Sequence, residues 1–183
     1  TTSTNYDTVG FPLYLKTNGT SSAMATYSIN FTSTAAMTVV TGVRKLSDAA
    51  LGILAELSGS TGTNNGTFYM LAPATGATYQ FRSKGTTNVD VNTPATYASP
   101  ITNVITGIGN ITSPETTIRA NGTIAATSSV SVGTGTYGNY PLYLFARSGT
   151  SLWFNGQFYG AIICGATEDA NQITQAEIGR AHV

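Results

Sequence analysis

The chain has 183 residues, of which only 9% are charged, with eight basic against eight acidic side chains and a formal net charge of zero. That balance leaves no electrostatic footprint for nucleic acid or an anionic lipid surface. At this length a single all-β domain buries roughly 70% of its unfolded surface, enough for a core without disulfides or metal.

Thr, Ser, Gly and Asn replace charge as the solubilising groups, a composition suited to a protein exposed outside cells or on a particle. No run approaches the ~18 apolar residues of a membrane span, so membrane insertion is not expected. The first twenty residues lack the basic-then-apolar layout of a signal peptide. The start at Thr1 is expected of a processed product or an excised domain.

Residues 1–10 are polar and patternless, a lead-in or attachment segment, and 11–183 are read as one domain. Alternating apolar residues predict strands at Pro12 to Lys16, Met24 to Phe31 and Met37 to Arg44, where Met37, Val39, Thr41 and Val43 share a face. Leu46 to Leu51 reads as a short helical turn opened by Ser47 and Asp48. Strands resume at Ile53 to Leu57, Thr67 to Ala72 and Tyr79 to Ser83, separated by Gly, Asn and Pro in the rhythm of a sandwich. Gly85 to Pro100 is read as a long surface loop, and Ile101 to Ile108 as a strand. Asn121-Gly122, between Thr117 to Ala120 and Thr123 to Ala126, predicts a two-residue type I′ hairpin, since both turn positions need φ > 0. Asn64-Asn65-Gly66 is a weaker turn signal of the same kind.

Tyr137 to Gly165 reads as two long apolar strands joined by one polar connection, both central and covered. In the first, Leu142, Leu144 and Ala146 oppose Tyr143, Phe145 and Arg147; in the second, Phe158, Gly160, Ile162 and Cys164 share a face, which buries the single cysteine as a silent apolar residue. Two stacked antiparallel sheets about 10 Å apart follow from such strands. At the C-terminus, Thr174 to Glu177 forms a T-x-x-E capping box with Ile173 and Ile178 as a hydrophobic staple. It predicts a helix of about two turns, with Arg180 and His182 at its negative end.

IRANG (Ile118 to Gly122), PLYLFAR (Pro141 to Arg147), FNGQFYGAIICG (Phe154 to Gly165) and QITQAEI (Gln172 to Ile178) resemble, in that order, the concanavalin A-like, LamG-type jelly rolls of bacteriophage and bacterial surface proteins. TVVTGVRKLSD (Thr38 to Asp48) and the Ile53 to Leu57 strand resemble the N-terminal half of that group more loosely. The resemblance implies an all-β, two-sheet antiparallel jelly-roll sandwich with a short C-terminal helix. It also implies carbohydrate recognition, commonly as an appendage of a virion or tail fibre. No cofactor is expected; relatives of this type often bind calcium at a loop rim, and the candidate ligands here, Asp48, Asp90 and Asp169, show no EF-hand-like spacing.

Catalytic sets are missing. Glucanases of this fold class carry close-spaced carboxylates about 5.5 Å apart, whereas Glu56, Glu115, Glu168 and Glu177 have no acidic partner at such spacing. Glu56 is open to two readings, a rim residue paired with a Lys or Arg and a lone buried or ligand-facing carboxylate. The one histidine, His182, is penultimate, which argues against a Ser-His-Asp or Cys-His site and against zinc. Gly133 to Gly138 lacks the Lys-Ser/Thr and the helix of a phosphate cradle. Five N-x-S/T sequons, at Asn18, Asn30, Asn65, Asn110 and Asn121, are what a Thr-rich and Asn-rich chain produces by chance.

A binding surface remains. Ten tyrosines and Trp153 stand among Asn and Thr, a mixture that offers sugars flat apolar faces with hydrogen-bonding groups beside them. Trp153 with Asn155 either caps the sandwich's open end or forms a ligand platform, joined by Tyr137, Asn139 and Tyr140 if the two ends meet. The expected function is therefore a non-enzymatic glycan-binding or adhesion module on a virion or cell surface. Its expected partners are a glycan or host surface, other virion proteins and further copies of the chain. A structural capsid-decoration or fibre-head protein is the alternative.

Overall fold

The computed structural model describes residues 6–7 and 13–181, with side-chain surroundings for 13–177. Among the described residues thirteen strands and one α-helix follow one another: β1 Tyr6–Asp7, β2 Tyr14–Lys16, β3 Met24–Asn30, β4 Ala36–Lys45, β5 Ile53–Leu57, β6 Thr67–Leu71, β7 Gln80–Lys84, β8 Asn88–Asn92, β9 Ile101–Asn110, β10 Glu115–Ala120, β11 Thr123–Ser128, β12 Asn139–Leu144, β13 Gly156–Cys164 and α1 Ala170–Ala181. They build a seven-stranded sheet in the order β1-β2-β13-β4-β9-β10-β11 and a six-stranded sheet in the order β3-β12-β5-β6-β7-β8. Most of the predicted lead-in, and Pro12, lie outside the described residues.

The core lies between the sheets, as the alternation predicts. Met37, Val39 and Val43 of β4, with Ile105 and Ile118, meet Leu54, Leu57, Phe68, Met70 and Phe81 from the facing sheet. Gly107 of β9 lies directly against Phe81, and a Cβ there would overlap the ring. The β10–β11 hairpin turns at Asn121-Gly122 with φ of 50° and 83°, the two positive values a type I′ turn needs. Asn121 also locks the turn to the neighbouring strand β9, its Oδ1 accepting from Val104 N at 2.9 Å.

Several sequence expectations need correction. The two apolar strands of Tyr137 to Gly165 are not both covered, and they belong to different sheets. β12 lies between β3 and β5, whereas β13 lies between β2 and β4 and is half-buried beyond Gly156. The strands buried along their length are β5 and β6. Phe145 breaks the predicted alternation, because its positive φ of 70° turns the chain and drops the ring into the core.

Cys164 is half-buried rather than buried. Phe158 pairs with Val43 and Gly160 with Gly42, so Tyr159 is the extra residue of a β-bulge. The bulge reverses the phase: Ala161 and Ile163 face the core opposite Thr41 and Val39, and Ile162 and Cys164 turn outward. Burial, then the neighbouring Glu168, raises the pKa of the Cys164 thiol.

The loop expected over Gly85 to Pro100 contains β8, an edge strand whose Asn88, Asp90 and Asn92 are poor strand formers around Val89 and Val91. Leu46 to Leu51 holds no helix. Asp48 instead binds Lys45 Nζ and accepts from Ser99 N at 2.6 Å, pinning the loop to a distant segment. Helix α1 starts a turn earlier than predicted. Asp169 Oδ1 accepts from Asn171 N (2.8 Å) and Gln172 N (2.9 Å) while Gln172 Oε1 accepts from Asp169 N (2.9 Å), a capping box of the D-x-x-Q form. Glu177, expected to close a box with Thr174, is buried and ion-paired with Arg119 at 2.9 Å, docking the helix on the seven-stranded sheet. Ile173 is buried in that dock; the side chains of Ile178, Arg180 and His182 lie outside the described residues.

Candidate functional site

The connection from β12 to β13 reaches the end of the sandwich with its side chains alternating. Phe154 is fully buried beside Phe145, ring centroids 6.5 Å apart, so Trp153 and Asn155 turn the other way. The segment is held by its neighbours: Phe154 N donates to Phe145 O (2.8 Å), Gly19 N to Phe154 O (3.2 Å) and Leu46 N to Asn155 O (3.0 Å). Asn18 Oδ1 accepts from the backbone N–H groups of Thr20, Ser21 and Ser22, which fixes the facing loop. Between these loops lies a groove of about 190 Å³ whose walls include Trp153, Asn155, Asn18, Thr20 and Ser47. Trp153 is half-buried and belongs to neither core cluster, so the ring that closes this end of the core is Phe154.

The structure joins Trp153 to Asn155 but separates both from the other expected residues. Tyr137 is fully buried, its hydroxyl 2.8 Å from Ser83 Oγ and its ring edge-on to Phe68, so it reaches no surface. Asn139 is exposed, and half-buried Tyr140 donates to Asn65 O at 3.1 Å. They begin β12, whereas the groove lies beyond its end, roughly 20 Å away at ~3.3 Å per residue. The two ends do not meet. Asp48, Asp90 and Asp169 are each engaged, by Lys45 and Ser99, by Arg82 and by the start of α1. Among the described residues no three His, Cys, Asp or Glu side chains gather as a metal cluster.

A second constellation stands on the outer face of the six-stranded sheet. Strand pairing puts Tyr143, Glu56, Tyr69, Arg82 and Asp90 in one cross-strand row over five strands. Two guanidinium groups lie over the Tyr69 ring, Arg82 at 4.6 Å and Arg147 at 5.1 Å from its centroid. Asp90 grips Arg82 with two contacts of 2.5 Å. Arg147 Nε donates to Glu56 Oε1 at 3.3 Å, while Glu56 Oε2 has no partner. Glu56 is 0% exposed, and burial pushes its pKa up to about 7, against the opposing pull of Arg147. Burial also raises the pKa of Tyr69. Both readings of Glu56 meet here: it is paired with an arginine and it is buried.

Loops 58–66 and 145–152 flank this row. Ser148 Oγ donates to Gly59 O, and Gly59 lies against the Tyr143 ring. Leu152 packs on Ile53, Tyr69 and Leu71. Sequence reading missed the row, although a trace of it is visible: Glu56, Tyr69 and Arg82 fall at equal intervals in three consecutive meander strands.

No family model and no curated protein matches the sequence. Solved structures match in shape. Domain 4 of AbnA, an extracellular arabinanase from Geobacillus stearothermophilus solved with arabinotriose, has a TM-score of 0.70 at 12% identity, covering 94% of this chain and 80% of that one. A heptameric SAP-like pentraxin from Limulus polyphemus has a TM-score of 0.65 at 10% identity, covering 87% and 78%. The Ruminococcus gnavus IT-sialidase CBM40 bound to α2,3-sialyllactose has a TM-score of 0.62 at 15% identity, covering 84% and 98%. The fold is a concanavalin A-like jelly roll. At these identities the likeness shows the fold alone, and on this jelly roll the groove lies at one end of the sandwich while the arginine row lies on the back of one sheet.

Proposed function

We propose that the chain is a non-enzymatic carbohydrate-binding or adhesion module, displayed on a virion or cell surface, that meets its glycan at the Trp153 groove. The observation that carries the reading is the division of labour at the sandwich's end: Phe154 fills the core, which leaves the neighbouring indole free of a packing role. An indole face beside the Asn155 amide, with Asn18, Thr20 and Ser47 opposite, supplies the apolar platform and the polar rim that a sugar ring needs. The groove is smaller than the roughly 300–1,000 Å³ of enclosed ligand pockets, so the sugar is laid on the surface. A single such contact is weak, and display of many copies on a particle or oligomer raises avidity by roughly 10²- to 10⁴-fold. Two of the structures sharing this fold were solved with sugars, which favours the reading by analogy. The test is a glycan array on multimerised protein, repeated with Trp153→Ala. Binding of one sugar class that disappears in the folded variant is the expected result; a parent that binds no glycan would refute the proposal.

A further inference from the structure

The arginine row plays no part in the Trp153 groove, yet it is built. In a chain with eight basic residues, Arg82, Lys84 and Arg147 stand on this one sheet face or its flanking loop. Lys84 is spent below loop 58–66, donating to Thr61 O (2.9 Å) and Gly62 O (3.0 Å), and Arg82 is held by Asp90. Arg147 is held differently. Its Nε edge is tied to a buried carboxylate, its plane lies over an aromatic ring, and its side chain keeps 33% of its surface in solvent. A guanidinium fixed by one edge and one face is preorganised to present its remaining edge to a planar anion.

Glu56 makes the second, independent point. A fully buried carboxylate is costly even with Thr61 beside it, and only its Oε1 is paired with Arg147. Its place beside the Nε edge orients Arg147, and burial raises its pKa, which weakens its hold on the charge of Arg147. Backbone strain collects in the same walls: Ser58, Phe145, Ser148 and Leu152 have φ of 75°, 70°, 53° and 49°.

We propose that this sheet face is a second subsite, which takes a sugar bearing an anionic group, carboxylate or sulfate ester, against Arg147 and Tyr143. The inference rests on the reading of the chain as a glycan-binding module and assigns the chemical class of ligand at a separate surface. Arg147 forks the anion and the half-buried Tyr143 flanks the sugar, while the buried Tyr69 ring supports the guanidinium of Arg147 and Arg82 is already neutralised by Asp90.

Lactose, 3′-sialyllactose and 3′-sulfolactose, immobilised in parallel and probed with the multimerised full chain, test this together with the neutral sugars of the array. One or both anionic glycans should bind about tenfold or more tightly than lactose, and the two arms tell carboxylate from sulfate. Arg147→Gln should abolish that preference. Because it strands a buried carboxylate, Glu56→Gln/Arg147→Gln is measured beside it, and a folded double variant should also lack the preference. Equal binding of lactose and both anionic sugars, or a preference that survives in the folded double variant, would overturn the inference. If neutral glycans bind through Trp153 and an anionic group adds nothing, only the second subsite falls; if no glycan binds at all, both readings fall.

Discussion

Trp153 and Phe154 are adjacent aromatics with opposite fates, so truncating each in turn separates binding from packing. Phe154 is fully buried against Phe145 within the main core cluster, and Phe154→Ala leaves a cavity. The expected cost is about 3 to 5 kcal/mol. Trp153 is half-buried beside an open groove, so Trp153→Ala loses part of an aromatic's burial and no cavity remains, since water enters. That is about 1 to 2 kcal/mol. For a domain of this size each kcal/mol lowers Tm by roughly 2 to 4 °C, which puts Phe154→Ala about 6 to 20 °C below the parent and Trp153→Ala within about 8 °C. Glycan binding should move the other way, lost in Trp153→Ala but only weakened in Phe154→Ala below its melting range, where the indole is still present on a loosened loop. Trp153 is the chain's one tryptophan, so intrinsic fluorescence reports the groove directly, and saturating sugar should shift its emission. A Trp153→Ala variant that melts as early as Phe154→Ala would refute the reasoning, because the indole would then be part of the core.

Gly122→Val places a β-branched residue at φ 83° and should cost about 1 kcal/mol or more; an unchanged Tm would argue against the type I′ turn. Glu177→Ala strands Arg119 and Thr106, which donate to its carboxylate at 2.9 and 2.7 Å, and should cost about 3 kcal/mol with loss of helical circular dichroism as α1 undocks. Glu56→Gln tests the buried carboxylate, which is surrounded by Arg147, Arg82, Tyr69 and Tyr143, with Asp90 further along the same row. Its folded pKa, about 7, lies above the ordinary 4.5, so the native state binds more protons than the unfolded one between those values, and its stability falls as pH rises through that window. The Tm of the parent relative to Glu56→Gln should therefore decline from about pH 4.5 to about 7 and level off above; a flat difference would show that Glu56 titrates normally.

The sandwich was legible in the sequence where apolar side chains recur at every second position on the core-facing side of a strand, even in β4, whose outer face is also covered. Met37, Val39, Thr41 and Val43 alternate because β4 lies on the core, and Asn121-Gly122 was readable because turn chemistry is local. Legibility failed where a long-range contact overrode a local signal. Asp48 resembles a helix opener but is taken by Lys45 and Ser99, and Glu177 resembles a capping residue but is taken by Arg119. The bulge at Tyr159 is invisible to a period-two pattern, and it turns Cys164 to the face opposite the one its spacing predicts.

The site was harder to read because it depends on register and on one loop. Glu56, Tyr69 and Arg82 meet only once the β5–β6 and β6–β7 pairings are known, and Arg147 joins them from a connection far along the chain. That connection carries both surfaces. Phe145 and Phe154 enter the core at its two ends, and between them Arg147 turns to the sheet face and Trp153 to the groove. Two core-anchored rings make the loop a rigid bracket, with Leu152 as a third point of attachment on Ile53, Tyr69 and Leu71. Residues that share no partner behave additively, so losing Trp153 and losing Arg147 should be independent in binding. Losing Phe145 loosens the bracket itself and should weaken both surfaces together, which identifies the common origin of the two surfaces as packing and not contact between them.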